Sequence, residues 1–196
     1  WHRIYKDLIE SGDIVGCSLF QVLYKTKEDP YNYIKILWLD SFSKINFKVT
    51  YNNFLSAYPG RGKEDWKNLQ QRSKLSYKLI SSGVFQQQLS CSNGLDHRGK
   101  FYRINEINIK PGEKKRYMNL VKDVYLPVYQ EDVKNNNRTV WSVWAKWTGD
   151  TDSFEYTTAD GYTEMDQIDQ NRFAEHFKKI HPSKDMSKIS NEMRHE

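Results

Sequence analysis

Hydrophobic and polar residues follow regular spacings over most of the chain, most clearly in its second half. Residues 101–109 alternate imperfectly between apolar and polar, which predicts a strand. A helix is predicted next, because apolar residues recur at i, i+3, i+4, i+7 and i+11. These residues are Tyr117, Leu120, Val121, Val124 and Val128. Pro127 falls inside this helix, so we expect a kink there.

Two strands and a second helix are predicted after it. Residues 139–148 are rich in Trp and Val and predict a strand, and residues 154–163 predict its hairpin partner. From residue 164 onward, apolar residues again occupy one helical face. They are Met165, Ile168, Phe173, Phe177 and Ile180. The second half therefore predicts the order β-α-β-β-α.

The first half gives a similar but less complete pattern. Strands are predicted at about 14–25 and 31–40, followed by a helix that carries Phe42, Ile45 and Phe54. A further helix begins near Lys63 and extends to Leu79. Residues 84–91 either continue that helix or form a short edge strand, and residues 92–100 form a linker. The chain opens at Trp1 within a helical pattern, so we expect the first strand of this half to precede Trp1.

The two halves can be aligned with a single one-residue gap. At an offset of 124, Ser18 falls on Ser142 and Phe20 on Trp144. At an offset of 123, residues 29–33 fall on residues 152–156, so that Tyr33 matches Tyr156. Few residues are identical, but the order of residue types persists. We therefore predict two diverged copies of one α+β unit, at residues 1–94 and 95–196.

Four motifs carry a family resemblance. They are the strand exit at 109–112, the helix through 125–129, the Trp-rich strand at 141–147 and the Asp-x-aromatic-x-Tyr hairpins at 29–33 and 152–156. The sequence resembles the dimeric α+β barrel superfamily in a fused tandem form. The resemblance implies an α+β fold in which two ferredoxin-like repeats form one intramolecular barrel. Its members include cofactor-free monooxygenases, cyclases, isomerases, haem enzymes and proteins without known activity, so fold does not give function.

Charge and composition narrow the classes of partner. A formal net charge of +5, spread along the chain, is weak for a nucleic-acid-binding protein. No apolar stretch is long enough for a membrane helix. Cys17 and Cys91 lack the close spacing of a metal or redox motif. We therefore expect a soluble protein that binds neither nucleic acid nor membrane, with an unknown compartment that includes export to the periplasm or secretion as an option. It would be a monomer by internal duplication or a loose homodimer.

The expected ligand-binding residues lie on the paired strands. They are Ser18, Phe20, Tyr33, Ser142, Trp144 and Tyr156. Aromatic walls with a few hydroxyl groups favour a cavity for a small apolar or aromatic molecule. The alternative is that these hydroxyl groups bond neighbouring protein groups, since a buried hydroxyl needs a partner.

His176 and Tyr156 are the candidate catalytic residues. His176 borders an apolar helix face between Phe173 and Phe177, where a histidine can act as acid or base. The resemblance also implies haem ligation by a helix-borne histidine, and the alternative is a helix-flank histidine without chemistry. Its counterpart in the first half is Asn53. No metal or cofactor motif is present, so no cofactor is expected.

Three functions remain open at this point. The first is a protein that binds or transforms a small apolar or aromatic molecule inside the barrel. The second is a non-catalytic interaction or scaffold protein with a filled barrel, and the third is nucleic-acid binding. Whether the protein is an enzyme is left open.

Overall fold

The structure is a computed structural model that describes residues 1–24, 31–93, 99–149, 154–170 and 172–193. The chain divides into two units, Trp1–Ile80 and Ser81–Glu196. Both combine helices with antiparallel strands, which confirms the α+β class. The predicted boundary between residues 94 and 95 lies outside the described residues.

The first unit packs helices against a two-stranded sheet. In chain order it contains α1 (His2–Glu10), β1 (Gly16–Gln21), β2 (Tyr33–Trp38), a 3-10 turn (Phe42–Lys44), α2 (Tyr51–Ala57) and α3 (Lys63–Ser76). β1 and β2 pair antiparallel, from Gly16 opposite Trp38 to Gln21 opposite Tyr33. The buried core consists of Ile4, Leu8, Ile14, Phe54 and Ala57.

The helix predicted to carry Phe42, Ile45 and Phe54 is interrupted, because a second helix start lies within it. The Thr50 side chain accepts a hydrogen bond from the Asn53 backbone N–H at 3.3 Å, and the Asn53 side chain accepts one from the Thr50 N–H at 2.8 Å. This reciprocal capping box begins α2 at Tyr51. The structure therefore has a short 3-10 turn and a separate α-helix.

The second unit contains a four-stranded sheet and a longer set of helices. Its elements are β3 (Gly83–Ser92), β4 (Phe101–Ile107), α4 (Lys114–Leu120), a π-helical segment (Val121–Tyr125), α5 (Leu126–Lys134), β5 (Val140–Gly149), β6 (Tyr156–Tyr162), a 3-10 turn (Met165–Ile168), α6 (Phe173–Ile180) and α7 (Met186–Met193). The strand order is β3-β5-β6-β4, with every pair antiparallel. The segment predicted as helix or edge strand is an edge strand, β3.

The expected barrel is not found among the described strands. A closed barrel needs a hydrogen-bonded neighbour on both sides of each strand. β3 and β4 have one neighbour each in their sheet, and so do β1 and β2. The described strands therefore form two open antiparallel sheets.

The kink expected at Pro127 takes the form of the π-helical segment one turn before it. Proline has no N–H to donate, and in a regular helix its ring clashes with the carbonyl four residues earlier, here that of Asp123. The wider turn over Val121–Tyr125 precedes this position, and the Leu126 N–H bonds to the Val121 carbonyl. Pro127 then stands in the first turn of α5, where a proline is tolerated.

The helices of the second unit cover one face of its sheet. Trp141, Val143 and Tyr156 pack against Tyr117 and Val121 in one cluster. A second cluster joins α5 to α6, and its buried members are Val124, Val128 and Phe177. No helix in the described part of the chain is long and apolar enough to cross a membrane.

Candidate functional site

Four ionisable side chains of the second unit meet in a buried cluster, here called the charged cluster: Asp132, Arg138, Asp160 and His176. Nη2 of Arg138 lies 2.7 Å from Oδ2 of Asp132, and its Nη1 contacts Oδ1 of Asp160. Nδ1 of His176 lies 2.5 Å from Oδ1 of Asp132. None of the four residues is more than 5% exposed. The guanidinium therefore bridges two carboxylates, and the imidazole extends the chain of contacts.

The charged cluster joins three elements that are distant in sequence. Asp132 comes from α5, Asp160 from β6 and His176 from α6. Arg138 lies in the connection after α5, where Asn136 adopts a left-handed conformation with φ of 56°. Asparagine is one of the few residues that adopt this conformation readily. The turn at Asn136 lets the chain reverse from α5 into β5.

At the edge strand β4 the charged cluster extends towards solvent. Nε of Arg103 lies 3.7 Å from Oδ2 of Asp160, and the Arg103 side chain is 40% exposed. The Asn105 side-chain amide donates to the same Asp160 oxygen at 3.4 Å and to Thr158 Oγ1 at 3.0 Å. Two arginines and two aspartates thus balance in charge.

Aromatic rings enclose the Arg138 guanidinium. Its central carbon lies 4.5 Å from the centroid of the Tyr129 ring. Tyr129 in turn stacks on Trp141, with centroids 4.1 Å apart and an interplanar angle of 19°. A cation over a desolvated ring is stabilised by the ring quadrupole. Burial raises the pKa of the Tyr129 hydroxyl, so this phenol remains neutral.

Burial and countercharge act together on Asp160 and Arg138. Burial raises the pKa of Asp160, while Arg138 and Arg103 oppose that change. Burial alone would lower the pKa of Arg138, but the charge of Asp160 and its neighbours outweighs this and raises the pKa. Arg138 therefore stays a cation in the core, and its removal would leave the carboxylates without their main partner.

The chemistry available to His176 is limited by its position. Asp132 orients the imidazole in the way that a carboxylate orients a general base. However, the imidazole is buried between α5 and the sheet, and a substrate has no described opening to it. No group of three or more His, Cys, Asp or Glu among the described residues is placed to hold a metal ion. The geometry thus favours a role in which the charged cluster fixes α5, α6 and β6 together.

A depression of about 570 Å³ lies between β3 and the C-terminal end of α5. Asn136 accepts a hydrogen bond from the Asn93 side chain at 3.1 Å. The Asn136 carbonyl accepts another from Gln167 at 2.9 Å, which fixes this wall of the depression. Burial raises the pKa of the Cys91 thiol to about 11, so the thiol is neutral at physiological pH. The lining residues are Ser90, Cys91, Ser92, Asn93, Gln130, Val133, Lys134 and Asn136.

The ligand-binding residues predicted in the second half lie on two faces of the sheet. Ser142 and Trp144 share one face, where Nε1 of Trp144 donates to Oγ of Ser142 at 2.8 Å. Tyr156 is on the helix-covered face, with its ring centroid 5.2 Å from that of Tyr117. The structure brings Ser142 and Trp144 together and places Tyr156 apart from them.

The predicted residues of the first unit divide in the same way. Ser18 and Phe20 lie at alternate positions of β1 and are half-buried. Tyr33 is 58% exposed and alternates with the half-buried positions of β2. The candidate catalytic pair is also separated, because His176 contacts Asp132 while Tyr156 packs against Tyr117.

Sequence reasoning found His176 but missed Asp132, Arg138 and Asp160. A signal for Asp132 was present: it follows Val128 by four residues and therefore lies on the apolar stripe of the helix. A charged residue at such a position indicates a buried partner. No comparable signal marks Arg138, which lies outside any regular element.

Comparisons with known proteins give no relative from which a function could be transferred. No family model matches the chain, and no curated protein or solved structure matches it either. The residues and their geometry are therefore the only basis for a functional assignment.

Proposed function

We propose that the chain binds a small polar molecule in the depression between β3 and α5. The observation that carries this proposal is the size and lining of the depression, about 570 Å³ with mostly polar side chains. Ligand sites in proteins typically enclose about 300–1,000 Å³. Because β3 and α5 are both regular elements, the two walls of the site are held by the fold.

The lining favours one class of ligand. Ser90, Ser92, Asn93, Gln130 and Asn136 offer hydroxyl and amide groups that can both donate and accept hydrogen bonds. A single ammonium group, that of Lys134, can pair with one negative charge, and no aromatic ring lines the depression. We therefore expect a ligand with several hydroxyl or amide groups and at most one acidic group. This differs from the apolar or aromatic ligand suggested by the strands.

Binding without catalysis fits the thiol in this site. The Cys91 thiol is the strongest nucleophile of the lining when ionised. Its pKa of about 11 keeps it neutral, so it contributes a weak hydrogen bond and apolar surface. The charged cluster supports the site from behind, because Asp132 and Arg138 fix the end of α5 that supplies Val133 and Lys134.

The test is a binding screen with a matched pair of lysine variants. Sugars, polyols, short amides and aromatic compounds would be screened by thermal shift and by amide NMR. We expect polyhydroxylated or amide compounds to shift the resonances of residues 90–93 and 130–136. Lys134→Ala and Gln130→Ala should weaken binding, whereas Lys122→Ala, an exposed lysine outside the depression, should not. Binding that is unchanged in Lys134→Ala and Gln130→Ala, or confined to aromatic compounds near Trp144, would contradict the proposal.

A non-catalytic interaction protein is the second candidate. It is favoured by the engagement of both predicted catalytic residues in packing: His176 with Asp132, and Tyr156 with Tyr117. A screen in which no small molecule binds, together with a stable complex in pull-down from defined partners, would favour this function over the first.

We also propose that the two units are diverged copies of one ferredoxin-like unit. In support, equivalent elements follow in the same order and start at Gly16 and Val140, Tyr33 and Tyr156, Phe42 and Met165, and Lys63 and Met186. In the second unit, β6 lies between β4 and β5, as in a split β-α-β arrangement. The alignment pairs Asp132 with Leu8 and Arg138 with Ile14, and all four residues are buried. The charged cluster is then an addition to a unit that also folds around apolar residues.

A further inference from the structure

The open strand edges of the two sheets differ in how they are protected. Natural sheets protect their edges with charges, prolines or bulges, because an unprotected edge pairs with other chains. β2 carries Lys35, and β4 carries Arg103 and Glu106. β3 has two register shifts against β5. By contrast β1, with the sequence Gly-Cys-Ser-Leu-Phe-Gln, has no charge, no proline and an unbroken register with β2.

The backbone groups on the outer edge of β1 can be assigned from its pairing with β2. The Val22 N–H donates to the Asn32 carbonyl at 2.9 Å. Because hydrogen-bonded positions alternate along an antiparallel pair, the backbone groups of Cys17, Leu19 and Gln21 point away from β2. Among the described strands, β1 pairs with β2 alone. The Leu19 side chain is 67% exposed, so the edge also presents apolar surface.

We propose that β1 pairs antiparallel with β1 of a second copy of this chain, about a two-fold axis at Leu19. Leu19 then faces its own symmetry mate, and Cys17 faces Gln21. The result is a four-stranded sheet in the order β2-β1-β1-β2. This surface belongs to the first unit, and the proposal is independent of the depression in the second.

Three observations select a second copy as the occupant. The strand is uncharged, so two copies approach without repulsion. Its outward-pointing residues are spaced symmetrically about Leu19, which suits the self-complementary interface of a two-fold dimer. A two-stranded sheet is marginally stable by itself, and pairing brings it to four strands.

The test compares lysine substitutions on neighbouring strands of the full chain. Leu19→Lys places two like charges opposite each other across the proposed axis, while the control Leu37→Lys makes the same change on β2. By sedimentation velocity over a wide concentration range, we expect the wild type and Leu37→Lys to dimerise. Leu19→Lys should dissociate at about tenfold higher concentration or more, since like charges directly opposite destabilise a strand pair. Circular dichroism would establish that each variant is folded.

A charge-reversal pair keeps the test independent of any loss of stability. Leu19→Glu should be monomeric by itself, and an equimolar mixture of Leu19→Glu with Leu19→Lys should form a heterodimer. Amide hydrogen exchange should show slower exchange at Cys17, Leu19 and Gln21 in the dimer than in the monomer. The proposal is overturned if the wild type is monomeric at every concentration, if Leu19→Lys associates like the wild type, or if mixing does not restore the dimer.

Discussion

Replacing Arg138 with methionine should strongly destabilise the second unit. Methionine has a similar length and no charge, so the change removes the cation and leaves the volume nearly filled. Asp132 keeps only His176 as a charged contact, and Asp160 keeps the more distant Arg103. The substitution therefore leaves two buried carboxylates that have each lost their closest partner.

The expected cost follows from the burial of the group. Removing one partner of a buried ion pair costs about 3–5 kcal/mol, because the remaining charge is left uncompensated. At about 4 °C per kcal/mol for a unit of this size, the melting temperature should fall by roughly 12–20 °C. The matched control is Lys179→Met, which removes an ion pair between Glu131 and a lysine that is 67% exposed. Exposed pairs contribute about 1 kcal/mol or less.

A triple variant separates charge from packing. The proposed alignment places Leu8, Ile14 and Leu37 at the positions of Asp132, Arg138 and Asp160. Replacing a whole buried ion pair by apolar residues is often neutral or stabilising. His176 then lacks its carboxylate partner, and an unpaired buried polar group costs about 1–3 kcal/mol. We therefore expect Asp132→Leu/Arg138→Ile/Asp160→Leu to lie within about 2 kcal/mol of the wild type.

The measurement must report on the second unit by itself, because two units in one chain can unfold separately. Urea unfolding followed by amide hydrogen exchange in β5 and β6 meets this need, and calorimetry gives the melting temperature. A cost of about 1 kcal/mol or less for Arg138→Met would refute the reasoning, since the guanidinium would then not be the main partner of the carboxylates. A triple variant as unstable as Arg138→Met would refute the idea that the fold tolerates an apolar core here.

Three further predictions concern single residues. The Cys91 thiol should react with iodoacetamide more slowly than an ordinary thiol at neutral pH; relative to Cys91→Ser, the wild type should lose free energy of unfolding as the pH rises from about 9 to about 11, because the folded state holds the proton longer, and an equal slope in the two proteins would contradict this. Thr50→Ala should cost about 1 kcal/mol in urea unfolding of the first unit because the N-cap of α2 is lost, while Thr50→Ser should restore most of it, and equal stability of the two variants would argue against the cap. Asn136→Val should cost about 1–2 kcal/mol or more in urea unfolding of the second unit because a β-branched residue is strained at φ of 56°, whereas Asn136→Gly should cost less, and the reverse order would exclude strain as the cause.

Elements with strong periodicity were predictable from the sequence. The strands β5 and β6 and the helix α6 carry clear patterns, and their existence and type are confirmed. Two assignments needed tertiary information. Residues 84–91 contain three glutamines and no clear periodicity, so their strand state depends on pairing with β5. The start of α2 depends on Thr50 and Asn53, a local cap that the spacing of apolar residues does not reveal.

The charged cluster shows why core positions were harder to predict than elements. A buried charge costs several kcal/mol unless it is paired, so a sequence pattern assigns Asp and Arg to the surface. The partners here come from α5, β6, α6 and a connecting loop, and only the fold brings them together. Closure of a barrel is another property that strand patterns alone do not determine, because it depends on which edges pair.

The π-helical segment has a consequence for how the length of this helix can change. One extra residue within Val121–Tyr125 sets the rotational phase of everything before it relative to everything after it. Deleting a single residue there would restore an ordinary α-helix and turn α4 by about 100° relative to α5, since one residue spans that angle. Tyr117 would then leave the sheet while Val128 kept its place. The segment therefore acts as a phase adjuster, which makes the helix intolerant of one-residue deletions even though its surface is largely polar.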